Sequence, residues 1–160
     1  MMWDIRNRIA HTNRILLLLW SLFIALVGIF PLTNFVGHSH WEYIQWLPTA
    51  DNFHSWRFLF DIAANIGIFI PLGYLLMRSS SSETTHHSHL LAASFSGILS
   101  LSIEWFQVYC HNRHPSAIDL FSNVTGGLMG ASISHYRQHL QTTSPHDPTT
   151  PIPPDRNLAP

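Results

Sequence analysis

Residues 15–31 read ILLLLWSLFIALVGIFP and contain no charged side chain. A helix needs about 20 apolar residues to cross a hydrocarbon core roughly 30 Å thick, so this run is just long enough to span a bilayer. Arg6, Arg8 and Arg14 precede it, as the basic start of a signal peptide would. A small-x-small cleavage site is poorly formed, however, and further apolar runs follow, which favours a retained span. Runs at 59–77 and 90–110 are also long enough, although they carry Asp61, Asn65, Glu104 and Gln107. The run at 116–134 is the weakest, because Asp119 and Asn123 lie within it and a central Asp costs about 2.5–3.5 kcal/mol on insertion. That segment needs partner helices. The expected fold is all-α, a polytopic membrane bundle of four transmembrane helices. The bundle occupies 15–136, with a short segment 1–14 before it, an outer loop 32–58 and a tail 137–160.

Composition agrees with this class. Charged residues make up 11% of the 160 residues, under half of the ~25% usual in soluble domains. The 8 basic and 9 acidic residues nearly cancel, and lysine is absent, so no basic field exists to hold nucleic acid. Cys110 is the sole cysteine, which rules out an intrachain disulfide and a thiolate metal cluster. Counting arginines in the short loops gives Arg6, Arg8, Arg14, Arg78 and Arg137 on one side and Arg57 and Arg113 on the other. The positive-inside rule then places both termini in the cytoplasm of a cell bounded by this membrane. The outer loop carries Trp41, Tyr43, Trp46 and Trp56, rings that favour the headgroup level, as a surface-lying or re-entrant segment would. Two segments read as disordered: SSSSETTHHSH at 79–89, and the tail from Gln138, which holds six of the ten prolines. His86, His87 and His89 in the first read as a polar linker and not as a metal site.

The polar residues within the spans are in register. At 1.5 Å rise per residue, Asn65, Glu104 and Asn123 fall about 9–10 Å below the outer end of their helices, and Asp61, Gln107 and Asp119 about 3–5 Å below it. Within each helix they are three or four residues apart and share one face. Hydrocarbon would leave such groups unsatisfied at several kcal/mol each, so the faces should turn toward one another. Arg113, in the loop HNRHPS, sits above the cluster; pairing with Glu104 or Asp119 would keep those carboxylates ionised, whereas unpaired burial would neutralise them, and both states are open. A rival reading makes the cluster simple glue, since interhelical hydrogen bonds contribute about 0.6–2 kcal/mol each. Gly126 and Gly130 have the small-x3-small spacing of close helix packing, with Gly127 beside them. Pro71, flanked by Gly67 and Gly73, should bend the second span. Ser-His-Asp, paired-Cys and phosphate-loop patterns do not stand out. No cofactor or resident metal is expected. His111 and His114 are a weak metal signal, and the oxygens of Asp61, Glu104 and Asp119 would suit Mg²⁺ or Ca²⁺ as the alternative.

These residues carry a family resemblance. DIAANIGIFIPLGYLL, with Asn65, Phe69, Pro71, Leu72 and Gly73 in order, resembles the first signature of the VanZ-like family. Glu104-x2-Gln107, Arg113, Asp119 and Asn123-x2-Gly126-Gly127-x2-Gly130 resemble its second. The long aromatic outer loop and the Pro-rich tail depart from the commoner pattern. The resemblance implies a small membrane protein of the bacterial envelope. The founding member is associated with resistance to the glycopeptide teicoplanin, and relatives accompany envelope polysaccharide functions. The expected function is therefore an outward-facing intramembrane pocket, in the inner membrane, that binds or processes an envelope glycan or lipid-linked precursor. Glu104 and Asp119 would act as acid/base or cation ligands and Arg113 as an anion grip, with Asp61, Asn65, Gln107 and Asn123 orienting the ligand. Membrane lipid and envelope polysaccharide proteins are the expected partners. The alternative is a non-catalytic assembly or binding module. A channel is disfavoured, because the inner halves of the spans lack titratable residues.

Overall fold

The computed structural model describes residues 2–79 and 85–142. Four helices account for most of them: α1 Met2–Ile29, α2 Trp56–Ser79, α3 Thr85–Gln107 and α4 Ala117–Thr142. Short 3-10 turns at Leu32–Asn34, Trp41–Tyr43 and Ala50–His54 punctuate the link from α1 to α2. The all-α expectation holds. Ala10–Ile29, Trp56–Ser79 and His87–Gln107 are long and apolar enough to cross a membrane. Helix α4 has the length, at 26 residues, but its polar residues keep it from qualifying alone, as the sequence led us to expect.

The helix ends differ from the apolar runs. Helix α1 begins at Met2, well before the apolar run, because backbone hydrogen bonding does not stop where hydrophobicity does. Two expected disordered segments are partly ordered. Helix α3 starts at Thr85, so residues 85–89 are helical; Ser88 is buried and His89 reaches α4, its Nε2 3.3 Å from Ser132 Oγ. Helix α4 likewise runs to Thr142, which takes 137–142 out of the expected tail. Residues 80–84 and 143–160 lie outside the described residues.

The packing is inverted relative to a soluble bundle. Leu18, Leu19, Leu22 and Leu26 on α1, and Ile98, Leu101 and Trp105 on α3, are exposed, while Ser96, Ser100, Ser122 and Ser134 are buried. In water this arrangement would fail; in lipid, large apolar side chains meet acyl chains and small residues let backbones approach. Helix α4 follows the same plan, exposing Phe121, Met129 and Ile133 and burying Gly126, Gly127, Gly130 and Ala131. Ile24, Phe69, Leu72 and Ile103 form the apolar core, with Leu76, Ala92 and Ala131 as a second cluster.

Helices α2 and α4 run parallel and make the most extensive helix pair. A Cβ on Gly73 would overlap the Gly127 carbonyl, one on Gly126 the Ile66 carbonyl, and one on Gly130 the Ile70 carbonyl. Gly127 itself faces α3, where a Cβ would overlap Ser96 Oγ. Helix α2 continues through Pro71, which deprives the Gly67 carbonyl of its intrahelical donor. At the adjoining carbonyl, Ile68, the Trp20 indole of α1 donates a 2.9 Å hydrogen bond. A neighbouring helix thus supports the weakened turn, as lipid requires.

The link between α1 and α2 covers one end of the bundle. It is laced to the α3–α4 turn by backbone hydrogen bonds: Val36 N to Tyr109 O (3.0 Å), His40 N to Val108 O (2.8 Å), His111 N to Asn34 O (2.7 Å), Gln45 N to Pro115 O (2.8 Å) and Ala117 N to Gln45 O (3.1 Å). These make an antiparallel bridge at Phe35–Cys110 and a parallel one at Gln45–Ser116. Two turn positions need left-handed backbone, Gly37 (φ 75°) and Asn112 (φ 60°); glycine and asparagine tolerate it best.

Candidate functional site

Beneath that laced cover, the last turns of α1 and α3 meet the first turns of α2 and α4. Pro31 cannot continue α1, and the closing carbonyls of a helix need outside donors. Two side chains supply them: Gln107 Nε2 donates to Gly28 O at 2.8 Å, and Arg113 Nη2 donates to Phe30 O. Positive charge is also favourable at this negative end of the helix dipole. At the start of α4, Ser116 is the N-cap. Its Oγ accepts from the Ile118 amide at 3.2 Å, and its own amide donates to Glu104 Oε2 at 2.8 Å. Asp119 lies in the first turn of α4, where a carboxylate suits the positive end of the dipole. Its Oδ1 accepts from Asn65 Nδ2 of α2 at 2.8 Å. Deeper in, Asn123 Nδ2 donates to Ser100 Oγ of α3 at 2.8 Å.

These groups surround an open cavity of about 570 Å³. Ile24, Ile68, Phe69 and Ile103 form its apolar floor; Gln45, Arg57, Asn112 and His114 stand at the rim. All seven residues singled out from sequence, Asp61, Asn65, Glu104, Gln107, Arg113, Asp119 and Asn123, line it. Asn123 Oδ1 is buried and has no hydrogen-bond partner, an acceptor left in the deepest polar layer. Pro71, Gly73, Gly126, Gly127 and Gly130 lie outside the lining and set the helix packing below it. The wall carries both signs of charge and hydroxyl, amide and carboxylate groups, so it suits a ligand with many hydroxyls and an anionic group: carboxylates accept from hydroxyls, and guanidinium forks grip phosphate or carboxylate.

The structure decides between the two states open to Arg113. Arg113 makes no ion pair with Glu104 or Asp119 among the described residues; its guanidinium caps α1 instead, because the α3–α4 turn sits over Pro31. Sequence reading also missed lining residues. Arg57 was visible in principle, being four residues before Asp61 and eight before Asn65 on one helical stripe. Gln45 carried no local signal, since only the bridge to Ser116 brings it to the rim.

The fold and this site define a membrane protein, all-α, with a polar cavity sunk into one end of its helix bundle. The chain belongs to the VanZ/LLP1 family, whose model matches residues 14–138. That span takes in every residue that lines the cavity and every motif residue quoted above. No curated protein and no solved structure matches the chain.

Proposed function

We propose that the cavity faces the outer side of the bacterial inner membrane and binds or processes an envelope glycan or lipid-linked precursor, contributing in this way to glycopeptide (teicoplanin) resistance. Both termini then lie in the cytoplasm, in line with the arginine count. The observation that carries the reading is the convergence of Asp61, Glu104, Asp119, Arg57 and Arg113, with the unpartnered Asn123 oxygen, on one open cavity. Sugar hydroxyls would donate to the carboxylates and to Asn123 Oδ1, and Arg57 and Arg113 would hold a phosphate or carboxylate at the rim. Glu104 and Asp119 are the candidate acid/base pair if chemistry occurs, and a divalent cation is the alternative bridge between them and an anionic ligand. The test is complementation of a gene-deletion strain, scored for teicoplanin susceptibility and surface polysaccharide. Glu104→Gln and Asp119→Asn should each fail to complement at wild-type protein level; full complementation by both would reject the reading.

A second reading has its own support. Asn65, Gln107, Glu104 and Asn123 each make a hydrogen bond to another helix or turn, as members of a scaffold would. The protein is then an assembly module for envelope polysaccharide machinery, and the exposed Trp41 and Trp46 recruit the partner. Trp41→Ala or Trp46→Ala would in this case abolish complementation in well-folded protein, while the carboxylate variants would misassemble.

A further inference from the structure

We propose that His38, His40 and His111 form a binding site for a first-row transition metal ion of the zinc class, which clips the outer loop to the α3–α4 turn. The site is separate from the cavity, whose lining includes none of the three.

His38 and His40 are two residues apart in the outer loop, and His111 is far along the chain in the turn after α3. Three backbone hydrogen bonds, from Val36, His40 and His111, hold the two segments side by side and so fix the register of the rings. Ring centroids are 4.6 Å apart for His38 and His40, 5.0 Å for His40 and His111, and 5.7 Å for His38 and His111. One nitrogen from each ring lies within 4.8 Å of the others. Zn–N bonds of about 2.0–2.1 Å in a tetrahedron put donor atoms roughly 3.3 Å apart. Small rotations of the exposed His38 and His111 side chains close that difference.

His40 supplies the independent sign of a ligand. It is 8% exposed, and its Nε2 is buried with no hydrogen-bond partner. A buried polar atom without a partner is unfavourable, and an ion is among its few ordinary explanations. The other ring nitrogen, Nδ1, lies 3.5 Å from Glu42 Oε1. A carboxylate beside Nδ1 favours the tautomer protonated there, which leaves Nε2 its lone pair, as outer-shell carboxylates do for metal-bound histidines. Tyr43 stacks on the His40 ring, their centroids 5.2 Å apart at an interplanar angle of 13°, and further restrains it.

Donor chemistry selects the ion. Three imidazoles suit Zn²⁺, Cu²⁺, Ni²⁺ or Co²⁺, whereas Mg²⁺ and Ca²⁺ prefer oxygen. Three protein ligands leave a fourth position for water. Because His111 adjoins Asn112, Arg113 and His114, a metal here would hold the segment that rims the cavity.

The test uses tag-free, full-length protein in detergent, stripped with EDTA and titrated with Zn²⁺ in competition with a chromophoric chelator, and separately with Co²⁺. Wild type should bind one equivalent at this site, and the Co²⁺ form should show the visible d–d absorption of a low-coordinate nitrogen site. His38→Ala and His111→Ala alter exposed residues and should keep the helical circular dichroism of wild type in EDTA, yet lose at least tenfold in affinity. Glu42→Gln should weaken binding about 10–100-fold. His87→Ala, remote from the site, should retain it. If His38→Ala and His111→Ala bind Zn²⁺ as wild type does, or if His87→Ala removes the bound equivalent, the site does not exist.

Discussion

The contact between α2 and α4 gives the sharpest test of the fold. Replacing Gly73 by Ala puts a methyl carbon onto the Gly127 carbonyl, 2.7 Å from its carbon and 2.9 Å from its Cα. Carbon atoms prefer about 3.5–4.0 Å, so the helices must separate by close to 1 Å, and neither backbone can rotate out of the way. Gly130→Ala is equivalent, with Tyr74 N at 2.8 Å and Ile70 C at 2.9 Å. Overpacking of this kind costs about 1–3 kcal/mol, and backbone neighbours place both variants near the upper end. Alanine returns up to about 1 kcal/mol of helix propensity, for a net loss near 2 kcal/mol. Two internal controls separate packing from propensity. A Cβ on Gly67 meets nothing within 4 Å, and one on Gly97 meets only Val124 Cγ2 at an ordinary 3.5 Å. Thermal unfolding in one detergent, followed by helical circular dichroism, should rank Gly67→Ala at or above wild type, Gly97→Ala near it, and Gly73→Ala and Gly130→Ala several degrees below. Equal melting of Gly73→Ala and Gly67→Ala would refute the close parallel packing of α2 on α4.

Other expectations follow from single contacts. Asn65→Leu removes the 2.8 Å donor to Asp119 Oδ1 and should destabilise the bundle by about 1–2 kcal/mol, read as a lower melting temperature; no change would mean that the bond is not formed in lipid. Trp20→Phe keeps an aromatic ring, though a smaller one, and loses the donor to Ile68 O; it should cost at least about 1 kcal/mol and speed amide exchange in α2 around Pro71, and protection equal to wild type would contradict the support we assign to Trp20. Cys110 is 2% exposed and donates to Phe106 O, so a water-soluble maleimide should label it only after unfolding. Rapid labelling of native protein would show that the laced cover opens freely.

How far the sequence carried these features depended on whether the signal was local. Asn65, Glu104 and Asn123 declared their common depth because helix rise and polarity in lipid are properties of each segment alone, and α2, α3 and α4 then had to turn those faces together. The partner of Arg113 was not legible. Glu104 and Asp119 offered the obvious charges, but the guanidinium meets the Phe30 carbonyl, a choice made by where Pro31 stops α1. The attachment of the outer loop was hidden for the same reason. Its aromatic residues announced a membrane surface, whereas its backbone is tied at Phe35, His40 and Gln45 to residues 108–117, and single bridges of that kind leave no periodic trace. Likewise, the polar run TTHHSH at 84–89 suggested disorder, and only packing of His89 against Ser132 on α4 shows why the helix begins so early.

The site and the fold are made of the same atoms, and this decides which substitutions are informative. Arg113 caps α1 and rims the cavity; Gln107 does both as well; Glu104 lines the cavity while its Oε2 receives the amide that opens α4. Removing any of them disturbs helix ends and ligand contacts together, so loss of function there counts only at wild-type protein level. Asp61 differs: it is an exposed lining residue on α2 for which the structure assigns no helix-capping role. Arg57, one turn before it, is likewise exposed at the rim. Opposite charges at this spacing contribute only a few tenths of a kcal/mol to an exposed helix, far below what the caps and close-packed glycines supply. Changes at Arg57 and Asp61 therefore leave the bundle nearly intact, and a phenotype from them reports on the cavity's ligand and not on the architecture that holds it.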